Sequence, residues 1–518
     1  MGIMMIENGR TRLKNRLYAG AMFGAIAVAL VVSGCSKDTG VVATNGAAKV
    51  IEPSTLAAPL AVDVNNNFPG WYEWQYQTSY AKLLNNISPA GTVRGVVIAS
   101  PSRNDPDYFF HWTRDAALVM DVIVRDYIAS SGRTRDRWYA MLDDFVNFSR
   151  ANQLSNALTG LGEPKFNVDG SPYMGPWGRP QNDGPALRAV TLIRFARELV
   201  KQGNTAYVRN KLYNAELPAH TVIKADLEYV AHRWHESSFC PWEEVRGDHF
   251  YVRIVQLAAM QQGAELAREL GDSGAAAFYD QQARRILGSL ENFWDGQAGM
   301  IKVTRDRVEG LDYKHSNLDI AVVLGPLHVG FKTGAWSVTD SRVLATANKI
   351  EEAFRRTYSI NEEGRFQGVA PAIGRYPEDR YSGKLSNPNG NPWVLTTAAM
   401  AELHYELAAT IAKWDSYQVD DRNVAFLRSA LGAIRSDRTI EPGQRLMRGS
   451  DEMKDLLSAL VARGDEFIKR VRLHANPDGS LSEQFDRNTG YMTSAEELTW
   501  SHASIITSWI ARTTATRR

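Results

Sequence analysis

"YVRIVQLAAM", residues 251–260, is apolar nearly all round when wound as a helix, as expected for a helix buried on most sides. The segment 276–294 behaves differently. There Ile286, Leu287, Leu290, Phe293 and Trp294 recur at steps of one, three and four residues, which gives a helix a single buried face. Residues 451–473 do the same, with Leu456, Leu457, Leu460 and Val461 set among Lys454, Arg463 and Glu466. Fully apolar helices beside one-faced ones suggest an inner layer enclosed by an outer one. Helical periodicity recurs near 72–87, 114–130, 135–153, 184–202, 221–234, 248–270, 274–294, 339–357, 391–413, 423–435, 451–473 and 495–513. Twelve helices with elaborated loops after every second one predict an all-α fold of six hairpins closed into a toroid, an (α/α)6 barrel. No short sequence repeat marks the hairpins, so periodicity by itself supports an all-α single domain.

The chain has 518 residues, 44% of them hydrophobic, and a formal net charge of +1. That suffices for a substantial core and argues against a nucleic-acid binder driven by charge. The N-terminus differs from the rest. Arg10, Arg12, Lys14 and Arg16 precede the apolar run "AGAMFGAIAVALVVSG", and Cys35 follows. A basic start, a short apolar stretch and small residues before a cleavage point predict a signal peptide over 1–34. "VVSGC" resembles a bacterial lipobox, so Cys35 is expected to be the lipidated first residue of the mature protein. Ser36 after it suits the outer membrane of a Gram-negative cell envelope. Residues 35–67 then read as a lipidated cysteine and flexible tether, and 68–518 as the folded domain. With Cys35 acylated, Cys240 has no intrachain partner, so the fold is not built on disulfides.

Long connections at 91–113, 160–184, 236–247, 299–320, 362–392 and 475–495 combine Trp or Tyr with Asp, Glu and Arg. Loops of this length inside a domain are usually functional. Their composition suits carbohydrate: aromatic faces stack on sugar rings, while carboxylates and guanidinium forks bond hydroxyls. In "SFCPWEEVRGDHF" (238–250), Glu243 and Glu244 directly follow a tryptophan. A glutamate held in a pocket has a raised pKa and can donate a proton. Glu483, between Leu481 and Phe485, is a candidate for the second carboxylate of an acid–base pair. On composition alone Glu163, Asp183, Glu378 and Asp379 remain rivals, and the residues do not say which group is acid and which is base.

"GVVIASPSRNDPDYFFHWTRDAAL", "GEPKFNVDGSPYMGPWGRPQNDGPALRA", "PWEEVRG", "GRYPED" with "GNPW", and "DGSLSEQFDR…LTWSHAS" resemble, in order, the signature segments of glycoside hydrolase family 15 of the fungal type. The resemblance covers about residues 70–518 and implies an (α/α)6 barrel that releases glucose, with inversion, from non-reducing ends of α-1,4-glucans and maltooligosaccharides. It implies Glu243 as general acid and Glu483 as general base. Tyr108 and Trp112 match aromatics of the scissile site, and Arg114, Asp115 and Arg375 match residues gripping the terminal glucose. Trp177 and Arg179 match a platform and a polar contact, Glu244, Glu378 and Trp393 further subsite contacts, and Gln484 a hydroxyl partner. Tyr381 is a weaker match. No metal or organic cofactor is expected, because proton transfer and water attack suffice; nor is any partner beyond the glucan substrate and, through Cys35, the membrane. A monomer is expected. Other readings are the same barrel acting on dextran or trehalose, and a non-catalytic glycan-binding lipoprotein; the matched carboxylates oppose the last.

Two departures stand out. The family commonly has Asp three residues before the acid, where this chain has Cys240 followed by Pro241. The stretch 380–389, "RYSGKLSNPN", lengthens the link between "PED" and "GNPW" and is expected to alter the rim of the acceptor subsites.

Overall fold

The computed structural model describes residues 63–362, 368–383 and 389–517. Cys35, the leader 1–34 and most of the 35–67 tether lie outside the described residues, as do residues 384–388 of the lengthened link. Residues just before the first helix already pack against the domain: Val64 is buried, and Arg472 donates to the carbonyls of Val64 and Asn66.

Thirteen α-helices of nine residues or more occur among the described residues. Six form an inner ring: α2 (Thr113–Ala129), α4 (Asp183–Lys201), α6 (Phe250–Glu269), α8 (Ala321–Val329), α10 (Val394–Ile411) and α13 (Thr499–Thr516). Each packs on the next, and α13 closes the ring on α2. Outside them lie α1 (Phe68–Asn85), α3 (Gly132–Leu154), α5 (Val222–Arg233), α7 (Ser273–Leu290), α9 (Ser341–Arg355) and α12 (Asp451–His474). The contrast between 251–260 and 276–294 is therefore the contrast between layers. Every residue from Phe250 to Met260 is buried. In α7 only Ala276, Tyr279, Gln282, Ala283, Ile286 and Leu290 are, one face of the helix. Even the polar residues of that stretch, Arg253 and Gln256, are buried. Arg253 pairs with Asp248 at 2.7 Å and donates to Gln256 at 3.0 Å, so the burial leaves neither the guanidinium nor the amide alone.

The expected twelve helices need one exchange. Helix α11 (Val424–Gly432), which the periodicity places in a hairpin, packs outside on α9 and α12. Helix α8, an inner member of the ring, was not among the twelve. Its sequence, "AVVLGPLHV", is short and apolar throughout and holds Gly325 and Pro326. Local signals thus read as a breaker, while burial against α6 and α10 makes it a helix. It stops at Gly330, whose φ of 74° lets the N–H groups of Gly330 and Phe331 reach the carbonyls of Leu327 and Pro326.

The connections entering the inner helices carry short antiparallel strands. β1 (His111–Trp112) pairs with β2 (Lys165–Phe166), and β3 (Ser238–Phe239) with β4 (Val245–His249), which also pairs with β5 (Thr304–Gly310). They brace loops that gather at the N-terminal ends of the inner helices.

Candidate active site

A cavity of about 580 Å³ opens at that end of the ring. Its wall takes Tyr108, Trp112, Arg114 and Asp115 from the entry to α2, and Trp177 from the loop before α4. Trp242, Glu243 and Glu244 come from the turn before α6, Arg375, Tyr381 and Trp393 from the approach to α10, and Glu483 and Trp500 from the approach to α13. Trp500 also borders a second cavity, of about 40 Å³, inside the ring between α2, α8, α10 and α13, so it is the partition between the two.

The turn bearing Glu243 is tightly built. Pro241 fixes one backbone angle, and the Glu243 N–H donates to the Cys240 carbonyl at 2.8 Å, which closes a β-turn. Glu243 itself has φ +68°, a left-handed conformation that costs a residue with a Cβ about 1–3 kcal/mol unless its surroundings enforce it. Its Oε1 accepts from Gln181 Nε2 at 3.0 Å and from Arg114 Nη2 at 3.4 Å. Cys240, where the family pattern has Asp, is buried, and burial pushes its thiol pKa up. No charge therefore stands at that position.

Arg114 links the groups around it. Its Nη1 donates to Gln181 and to Asp183 at 2.9 and 3.1 Å, and its Nε lies 3.4 Å from Asp115. Burial raises the Asp115 carboxyl to about 6; Arg114 opposes this, while Glu243 and Asp183 add to it. On another wall Arg375 grips Asp379 through Nε and Nη2 at 2.7 and 2.6 Å and donates to Glu244 at 2.6 Å. Glu244 also accepts from the Tyr376 hydroxyl at 2.7 Å, and burial raises its pKa against the pull of Arg375.

Glu483 is 1% exposed. Burial raises its carboxyl to about 7, opposed in turn by the Ser494 hydroxyl, Arg375, Tyr108 and Gln484. Ser494 Oγ and Gln484 Nε2, the latter at 3.0 Å, both donate to its Oε2. The backbone is fixed as well, by Glu483 N–H to Ala495 O at 2.8 Å. Tyr108 and Tyr381 share a short hydroxyl–hydroxyl bond, and burial, with Glu483 adding to it, raises the pKa of both.

The expected site residues divide into two groups. Tyr108, Trp112, Arg114, Asp115, Trp177, Glu243, Glu244, Arg375, Trp393 and Glu483 all line the one cavity. Arg179, Glu378 and Gln484 do not. Arg179 donates to Glu163 at 2.9 Å and to the carbonyls of Gly175 and Tyr173, which turns it into the loop rather than toward a ligand. Glu378 accepts from the Ser316 N–H and hydroxyl at 2.6 and 3.0 Å. Gln484 is tied to Asn391 and Glu483 behind the wall. These three stand outside the cavity lining, each bonded to its protein neighbours. The rival carboxylates are likewise engaged, Glu163 with Arg179, Asp183 with Arg114, and Asp379 with Arg375.

Sequence reasoning passed over Trp242, Trp500, Gln181 and Lys165. Both tryptophans lie inside quoted segments, but nothing local separates a wall tryptophan from a core one. Lys165 had a clearer signal, a charge between Pro164 and Phe166 in a strand. Its ammonium lies 3.7, 4.0, 4.2 and 4.7 Å from the ring centres of Trp177, Phe110, Tyr173 and Trp112. Burial lowers its pKa to about 8, opposed by Glu243 and Asp107.

A sequence profile described as Glycosyl hydrolases family 15 matches residues 77–509. A glucoamylase of Blastobotrys adeninivorans is 37% identical over 447 residues, 84% of this chain and 70% of that one. Glucoamylase 1 of Rhizopus oryzae is 36% identical over 86% of this chain and 72% of its own. A solved glucoamylase structure from Saccharomycopsis fibuligera superposes with a TM-score of 0.77 at 30% identity, covering 89% of this chain and 99% of that one.

Proposed function

The chain belongs to glycosyl hydrolases family 15, and on that premise we propose a division of labour within its pocket. The activity is that of a glucoamylase, an inverting exo-hydrolase that releases β-D-glucose from the non-reducing ends of α-1,4-glucans. Glu243 is the general acid. It gives its proton to the glycosidic oxygen as the bond from C1 breaks. Glu483 is the general base. It takes a proton from the water whose oxygen bonds C1 from the opposite face, so no covalent intermediate forms. Arg114, Asp115 and Arg375 hold the terminal glucose, and Trp112, Trp177 and Trp393 give it faces to stack on. The observation that carries this reading is that Glu243 and Glu483, supplied by loops far apart in sequence, line one cavity together with these groups.

Cys35 is proposed to carry lipid and to attach the enzyme to the cell envelope; the basic run and "VVSGC" support this. Inversion requires carboxyl groups roughly 6.5–9.5 Å apart, with room for water, whereas retention requires roughly 5–5.5 Å. Proton NMR of maltooligosaccharide digestion, read before mutarotation, should show β-glucose first. Initial α-glucose would overturn the role given to Glu483.

A further inference from the structure

The backbone of Glu243 is strained, and such strain persists only where the surroundings over-determine it. Two buried groups behind the wall, Asp319 and Lys314, to which the proposed reaction assigns nothing, reach this turn through Trp242, itself a wall residue. Trp242, directly before Glu243, packs 5.7 Å from Trp393 and 6.2 Å from Trp500, centre to centre. Its indole Nε1–H donates to both oxygens of Asp319, at 3.0 and 2.9 Å. Asp319 is fully buried and stands at the start of α8, where it also accepts the Ala321 N–H at 2.7 Å. Its carboxylate forms a close ion pair with Lys314, which is itself buried. The Lys314 ammonium in turn lies 4.2 Å from the ring centre of Tyr376, whose hydroxyl donates to Glu244. One buried ion pair therefore holds both neighbours of Glu243, Trp242 through its indole and Glu244 through Tyr376.

We infer that Asp319, backed by Lys314, is a positioning residue for the general acid: it fixes Trp242 by its indole N–H and thereby sets the aim of the Glu243 carboxyl at the glycosidic oxygen. This rests on Glu243 being the acid. Cys240 stands where the family pattern has a carboxylate; in this turn a carboxylate is supplied from outside by Asp319, beside the bonds that Gln181, Arg114, Arg375 and Tyr376 make to the two glutamates.

The test uses Trp242→Phe, Asp319→Asn and the double variant, each assayed on maltose and on α-glucosyl fluoride. Fluoride departs with little protonation, so a misaimed acid harms maltose hydrolysis far more. Displacement of a catalytic group by an ångström or less lowers rates by up to about 100-fold, and a kcat loss of about 30-fold on maltose is expected, with KM changed less than about threefold. Loss on the fluoride should stay within about fivefold, and the double variant should be no worse than the poorer single one. Should Asp319→Asn fail to fold with Lys314 unpaired, Trp242→Phe keeps an aromatic ring and carries the substrate comparison alone. Equal losses on both substrates, unchanged rates, or single effects that multiply in the double variant would overturn the assignment. Glu243→Gln is run alongside. If it fails to spare the fluoride, the acid role falls and the tether with it; if it spares the fluoride while the tether variants do not, the tether alone falls.

Discussion

The Ser494 hydroxyl donates to Oε2 of Glu483, a carboxylate with almost no exposure to solvent. Burial holds that carboxyl up at about 7, and of the groups that draw it back toward ionisation Ser494 acts most strongly. A base works ionised, so its pKa sets the acid limb of kcat/KM. Removing a donor to the charged form raises that pKa. Ser494→Ala should therefore move the acid limb upward by about one pH unit, the equivalent of a hydrogen bond to a charged group. Stopped assays on maltooligosaccharides across pH would reveal this, and an unmoved limb would count against Glu483 as base.

Glu243→Gln and Glu483→Ala should each lower kcat by about 10²–10⁴-fold, the usual contribution of acid–base groups. The two should differ under rescue. A small anion such as azide can stand in for the missing base and restore turnover to Glu483→Ala, whereas Glu243→Gln should recover poorly while still binding substrate. Glu244→Gln, which loses a partner of Arg375 and Tyr376, should mainly raise KM.

Lys165 lines the same cavity, and its titration can be tested as a basic limb of binding. Its ammonium is charged below about 8 and neutral above, since burial lowers its pKa. If it donates to substrate hydroxyls, KM should climb as pH passes about 8. Lys165→Met, which keeps the four rings filled, should bind roughly tenfold more weakly at neutral pH, the value of one hydrogen bond to a charged group. It should also show no further rise above pH 8.

Arg179→Met tests the support behind Trp177. It strands Glu163, whose side chain is fully buried, and leaving one partner of a buried ion pair costs about 3–5 kcal/mol. Urea denaturation should show that loss, and Glu163→Gln in the same chain should return most of it. A stability near that of the parent would mean that the pair is not needed to hold the loop.

Cys35→Ala should release the enzyme from the membrane fraction while leaving its activity intact. Mature protein that retains residues 1–34 and carries no lipid would remove the anchor.

The barrel was legible where burial leaves a periodic trace. The all-round apolar face of 251–260 and the single face of 276–294 name the inner and outer layers directly. Helix α8 escaped because its helicity is a tertiary effect: Gly325 and Pro326 oppose it locally, and only packing inside the ring decides. In the site, the wall residues were readable because their segments match a family in which such residues meet. That Arg179, Glu378 and Gln484 turn to protein partners outside the lining was not readable, because a motif names a residue and not the direction its side chain takes. The Asp319 tether was invisible, since an aspartate and an indole 77 positions apart meet only through the fold.

Trp500 lines both the pocket and the small void between the inner helices α2, α8, α10 and α13, and this has a bearing on traffic. With the way through the ring plugged, what enters must leave by the same doorway. A freed glucose sits at the inner end with the shortened chain between it and the solvent, so the chain has to let go on every cycle. The enzyme cannot walk along a polymer. Its throughput at low substrate then follows the number of chain ends in solution rather than the mass of glucan, and accumulating glucose competes with fresh ends for one entrance.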